Sequence, residues 1–106
     1  MRGSRDRRRK ELRALCRALL LYERVETTAA RARLAKSATE KMITRGKLGT
    51  LAARRALLRD LPENAVKKIF EVLVPRFRER HGGYARILHV GKYKDGTSKV
   101  ILELVK

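Results

Sequence analysis

The chain has 106 residues, with 28 Lys and Arg against 11 Asp and Glu and a net charge of +17. An excess of that size disfavours an isolated compact state by self-repulsion, so a polyanionic partner is expected: nucleic acid first, an anionic membrane surface second. The single Cys excludes an internal disulfide, and the apolar run Leu19-Leu20-Leu21 is too short for a signal peptide or a membrane span.

One domain over 1–106 is expected, its core built mainly from Leu, Ile, Val and Ala, because there are only two Phe, three Tyr and no Trp. Residues 1–10 read as a basic arm, without an apolar residue after Met1 to pack it, and 11–106 as the globular part. Leu12, Leu15, Cys16 and Leu19 follow the i, i+3, i+4, i+7 spacing of an amphipathic helix, and Arg9, Arg13 and Arg17 form a stripe beside that face. Residues 23–28, with β-branched residues among charged ones, predict a short strand, after which Thr27 or Thr28 caps a second helix. That helix runs from Ala29 to about Arg45, with an Ala-rich face that lets helices lie close and with Leu34, Ala38, Met42 and Ile43 among its apolar positions, and Gly46 and Gly49 end it. A third helix spans about Thr50 to Asp60, apolar at Leu51, Leu58 and Leu61 and basic at Arg54, Arg55 and Arg59. Pro62-Glu63-Asn64 opens a fourth, whose stripe is Val66, Ile69, Phe70 and Leu73 and which Pro75 ends or kinks. Residues 84–93 and 97–105 predict strands joined through Lys94-Asp95-Gly96, a hairpin signal, with Val100, Leu102 and Leu104 on one face.

The charge is concentrated. Residues 1–24 hold nine basic and three acidic residues, and residues 31–59 hold nine basic residues and one acid, Glu40. These two blocks are expected to face the polyanion. Within them, Arg2, Arg5, Arg7, Arg8, Arg9, Lys10, Arg13, Arg17, Arg31, Arg33, Lys36, Arg54, Arg55 and Arg59 are the candidate phosphate contacts. Guanidinium groups grip phosphates through forked hydrogen bonds, which position a protein without reading sequence. No metal site is expected: His81 and His89 have no Cys, Asp or Glu at ligand spacing, and Cys16 reads as a small core residue. Lys92 and Lys94 lack the spacing of a phosphate-binding loop. The acids are scattered, which disfavours a metal-dependent nuclease, and no cofactor or small-molecule substrate is expected. A DNA-binding regulator is the alternative function, but base readout favours Asn or Gln beside Arg, and the chain has one Asn and no Gln.

The segments YERVETT (22–28), RARLAKSATEKMITRGKLG (31–49), VPRFRERHGGYARIL (74–88) and VILELV (100–105) resemble the bacterial large-subunit ribosomal protein L-seventeen family. The resemblance covers most of 7–105, and Arg78 to Leu88 is its most specific part. It implies an α+β fold: about four helices on one face of a small mixed three-stranded sheet that includes the C-terminal β-hairpin. It also implies a non-enzymatic role in binding and bracing large-subunit (23S-type) rRNA, near the outer end of the peptide exit region and beside neighbouring large-subunit ribosomal proteins. A bacterial cytoplasm, or an organelle of bacterial ancestry, is the implied location, with no membrane partner. Family members usually start with a longer basic arm and carry an Arg-Arg-Gly-Asp-like loop where this chain has KYKDGTSK. Arg78, Arg80, Gly82, Gly83, Tyr84 and Arg86 join the RNA-binding candidates: the glycines to let backbone approach RNA, Tyr84 to stack on a base or to enter the core, and Arg86 to point away from Ala85 and Ile87.

Overall fold

The computed structural model describes the backbone from Arg2 to Lys106 and the side chains from Arg7 onward. The candidates Arg2 and Arg5 therefore lie outside the described side chains. Helix α1 spans Arg2–Tyr22, without a break at residue 10, so the basic segment expected as a separate arm continues the first helix. Strand β1 (Arg24–Thr28) leads into α2 (Ala29–Gly46), whose first turn is closed by the Thr28 hydroxyl accepting from the Arg31 N–H at 3.3 Å. Helix α3 (Leu51–Asp60) is capped in the same way by Thr50, which accepts from the Ala53 N–H at 3.0 Å.

The fourth rod begins as α4 (Glu63–Lys68), widens into a π-helical segment at Ile69–Leu73 and closes as α5 (Val74–Arg76). Pro75 explains the widening. It has no N–H to give the Glu71 carbonyl and its ring crowds that carbonyl, so the turn before it opens, and the Val74 N–H reaches the Ile69 carbonyl instead.

Strands β2 (Ala85–Lys92) and β3 (Ser98–Leu104) form the expected hairpin. In its turn, Asp95 Oδ1 accepts from the Thr97 N–H at 3.0 Å and the Thr97 hydroxyl at 2.7 Å, and Gly96 takes a φ of 91°. The order is β1-β3-β2 and both pairings are antiparallel, so the sheet is not mixed. Three helical rods and β2 separate β1 from β3 along the chain, and β1 runs in the direction opposite to β3.

Val100, Leu102 and Leu104 share the buried face of β3 with Ala85 of β2, and all the helices lie on that side. The core joins them to Cys16, Leu19 and Leu20 of α1, Ala32, Ala35 and Ile43 of α2, Leu57, and Val66, Ile69 and Leu73 of the fourth rod. Each fully buried Leu or Ile contributes about 2 kcal/mol by leaving water. Ala38, Met42 and Ile43 of α2 pack on the core as expected, but single large apolar residues of α2 and α3 do not. α2 buries the small row Ala32, Ala35, Thr39, Ile43 and Gly46, leaving Leu34 62% exposed. α3 buries Ala53 and Leu57, leaving Leu51 and Leu58 outside. The small row lets α2 approach closely: a Cβ built on Gly46 would stand 2.6 Å from Ile69 Cγ2.

Candidate nucleic-acid interface

The i, i+4 spacing places Arg9, Arg13 and Arg17 in one exposed row on α1, with Arg7, Arg8 and Lys10 also exposed. Lys10, Arg13 and Arg17 line a crevice with Asp60 and Pro62, so this row adjoins the end of α3. On α3, Arg55 and Arg59 are exposed, while Arg54 is half-buried with its guanidinium 5.3 Å from the centre of the Phe70 ring. Among the described residues, none of these arginines has a carboxylate within ion-pairing distance. Arg78 is exposed and likewise unpaired among them.

Other candidates are already engaged. Arg31 meets Glu11 at 3.6 Å, and Lys36 meets Glu40 at 3.5 Å one turn along α2. Arg86 does point away from Ala85 and Ile87, but on the outer sheet face it binds Glu103 at 2.6 Å, with Arg24 3.9 Å from the same carboxylate. Its head is 61% exposed, so this is a solvated pair rather than a fixed one. Arg80 gives an N–H to the Gly83 carbonyl at 3.3 Å and bridges the loop that precedes β2.

Tyr84 goes to the core and not to a stacking platform. It is 2% exposed, its ring lies 5.0 Å from that of Phe77, and its hydroxyl accepts from Lys47 Nζ at 3.2 Å. Lys47 also donates to the Arg80 carbonyl at 2.6 Å and sits over the Tyr84 ring, which fastens the loop to the end of α2. Gly82 and Gly83 take φ values of 121° and 63°, which a side chain would strain, so both are needed for the turn itself. A Cβ on Gly82 would meet open space, so this backbone is approachable from outside.

The chain folds two further basic surfaces that the sequence reading did not assemble. Lys92, Lys94 and Lys99 of the hairpin come together with Thr28 and Arg31 at the start of α2, where Glu26 and Asp95 dilute the charge. Hairpin register and the cap at Thr28 carried that signal in the sequence. Lys41 and Arg45 extend the row of Arg33 and Ser37 along α2 at four-residue steps, facing Ile87 across a groove. The periodicity applied to α1 would have found them. The Cys16 thiol is buried and its pKa is raised by that burial, which suits a packing role. Among the described residues there is no cluster of His, Cys, Asp or Glu able to hold a metal, and no helix is long and apolar enough to cross a membrane.

The profile of the family described as ribosomal protein L17 matches residues 11–105. The chain belongs to that family. It is 50% identical over 102 residues to the large ribosomal subunit protein bL17 of Thermoanaerobacter sp. (strain X514), covering 94% of this chain and 91% of that one. It is 47% identical over 102 residues to the bL17 protein of Clostridium beijerinckii, covering 94% and 90%, and 43% identical over 112 residues to that of Staphylococcus epidermidis, covering 94% and 92%. The matched span takes in the second half of α1, all of α2, α3 and the fourth rod, and the whole sheet.

Proposed function

We propose that this chain is a structural, non-enzymatic component of the large ribosomal subunit in a bacterial cytoplasm, where it binds and braces 23S-type rRNA beside neighbouring ribosomal proteins. The observation that carries this reading is the unpaired arginine surface of α1 and α3: Arg13, Arg17, Arg55 and Arg59 stand outside every ion pair among the described residues. Two helices that adjoin at Asp60 beside a packed core hold those groups at fixed separations. Such an array grips phosphates of RNA segments that are remote in sequence and so ties them together. Recognition is by backbone and shape, because A-form RNA hides its base edges in a deep groove.

Affinity for purified large-subunit rRNA, measured against salt, tests the reading. Each phosphate contact adds about 0.7–0.9 to the slope of log K on log salt. The triple reversal Arg13→Glu, Arg17→Glu, Arg55→Glu is expected to reduce that slope by about 2 and to lower affinity at low salt, with an unchanged circular-dichroism melt. An unchanged slope with the same melt would reject it.

A further inference from the structure

The outer edge of β2 has a hydrogen-bonding face that the protein leaves open. The Val105 N–H donates to the Tyr84 carbonyl at 2.9 Å, and the Leu104 N–H donates to the Glu23 carbonyl on the opposite side at 2.9 Å. In an antiparallel ladder these alternate, so Arg86 and Leu88 spend their backbone groups on β3, whereas Ala85, Ile87 and His89 turn theirs outward. At Ala85 the outward N–H is met by Glu40 Oε2 at 3.3 Å, so a carboxylate already occupies the first position of this edge. The next positions face a groove between β2 and α2 whose floor includes Ile87 and Leu48, the latter 69% exposed, and whose wall carries Arg33, Lys41 and Arg45 beside the Lys36–Glu40 pair.

We propose that this groove takes an extended acidic peptide segment of a neighbouring protein, which adds to β2 as a fourth strand along Ile87 and His89. An extended peptide supplies both donors and acceptors at the two-residue period that the edge presents. Phosphates only accept, and would leave the Ile87 and His89 carbonyls without donors. Residues paired opposite Ile87 and His89 turn their side chains to the α2 face, where the basic wall selects acidic ones, and the alternate residues turn to the outer face, where Leu88, 39% exposed, gives apolar ones a seat. A second copy of this chain is disfavoured, because each copy carries +17. The pairing stops at Val90, where the ladder slips by one residue between His89 and Gly91 and the edge twists away.

The probe is an octapeptide of alternating glutamate and valine, titrated into the full chain with amide hydrogen exchange followed residue by residue. The Ile87 and His89 amides are expected to become protected. The same peptide with N-methylated glutamates keeps charge and apolar surface but loses the strand bonds to Ile87 and His89, and is expected to bind about tenfold more weakly. The variant Arg13→Glu, Arg17→Glu, which tests the rRNA surface, is expected to bind the peptide as the parent does, so the two readings fail separately. Equal binding of the N-methylated peptide, protection elsewhere, or protection of Ile87 and His89 by a short RNA duplex that displaces the peptide would each overturn the proposal.

Discussion

Glu23 ties three elements of the fold together through one carboxylate. It follows α1 with a φ of 66°, and its carboxylate is bound by the Arg76 guanidinium through two bonds of 2.5 and 3.0 Å and by Lys68 Nζ at 2.9 Å. Lys68 also donates to the Leu21 carbonyl at 3.2 Å, so α1, the start of β1 and the fourth rod meet at one carboxylate. The Arg76 hydrogen bond, with Lys68 adding to it against some desolvation, lowers the Glu23 pKa from 4.5 to about 2. At about 1.4 kcal/mol per unit, that shift is worth roughly 3 kcal/mol at neutral pH. The carboxylate is 24% exposed, and solvent screening trims the figure to about 2 kcal/mol. Glu23→Gln is thus expected to lose about 2 kcal/mol in a urea titration, or roughly 8 °C in melting temperature for a domain of this size. A depressed carboxylate contributes fully above its unfolded pKa and loses that contribution as pH falls toward the folded one. The gap between parent and variant should therefore be constant from neutral pH down to about pH 5 and close as the pH approaches about 2. Equal stability at neutral pH, or a gap that persists near pH 2, would refute the assignment.

Three other outcomes follow from particular contacts. Gly46→Ala is expected to destabilise by about 1–3 kcal/mol in the same titration, because the new Cβ meets Ile69 Cγ2 at 2.6 Å and Val74 Cγ2 at 3.3 Å inside the packed core. Tyr84→Phe keeps the ring against Phe77 and removes only the bond from Lys47, so a loss of about 1 kcal/mol with unchanged rRNA affinity is expected; a large fall in affinity would return Tyr84 to the interface. Arg55→Glu with Arg59→Glu should weaken rRNA binding without shifting the melt, whereas Arg54→Glu should also lower stability by about 0.5–1 kcal/mol, because Arg54 covers the Phe70 ring.

Each helix and strand had a local signature: the apolar stripe of α1, the Thr28 and Thr50 hydroxyls, the Asp95-Gly96 turn. The Ala-rich face of α2 was legible as well, but not that Leu34 falls outside it. Leu34 outweighs Ala32 and Ala35 in any count of apolar size, yet α2 needs small residues where the fourth rod presses on Gly46. Tyr84 was undecided for a related reason, since the groups that hold it, Phe77 and Lys47, come from two other elements. The Arg86–Glu103 pair depends on the slip at Val90. Counting back from Lys92 opposite Ser98 places Arg86 opposite Leu104, and only the extra residue brings Glu103 across from it.

The acids explain where the arginines are left over. Glu23 joins α1 to the fourth rod, Glu40 closes the start of the β2 edge, Glu103 spans the outer sheet face and Asp95 shapes the hairpin turn. Each of these carboxylates sits where two elements meet or the chain reverses, and the cations that answer them are Arg76, Lys68, Lys36, Arg24 and Arg86. Arg13, Arg17, Arg55 and Arg59 lie on helix faces away from those junctions, and neutralising them would cost the fold nothing that it uses. A chain selected only for stability would pair or remove such groups, because their mutual repulsion opposes compaction. Their charge on two adjoining helices is what the proposed rRNA partner would neutralise, and that neutralisation is the quantity the salt slope measures.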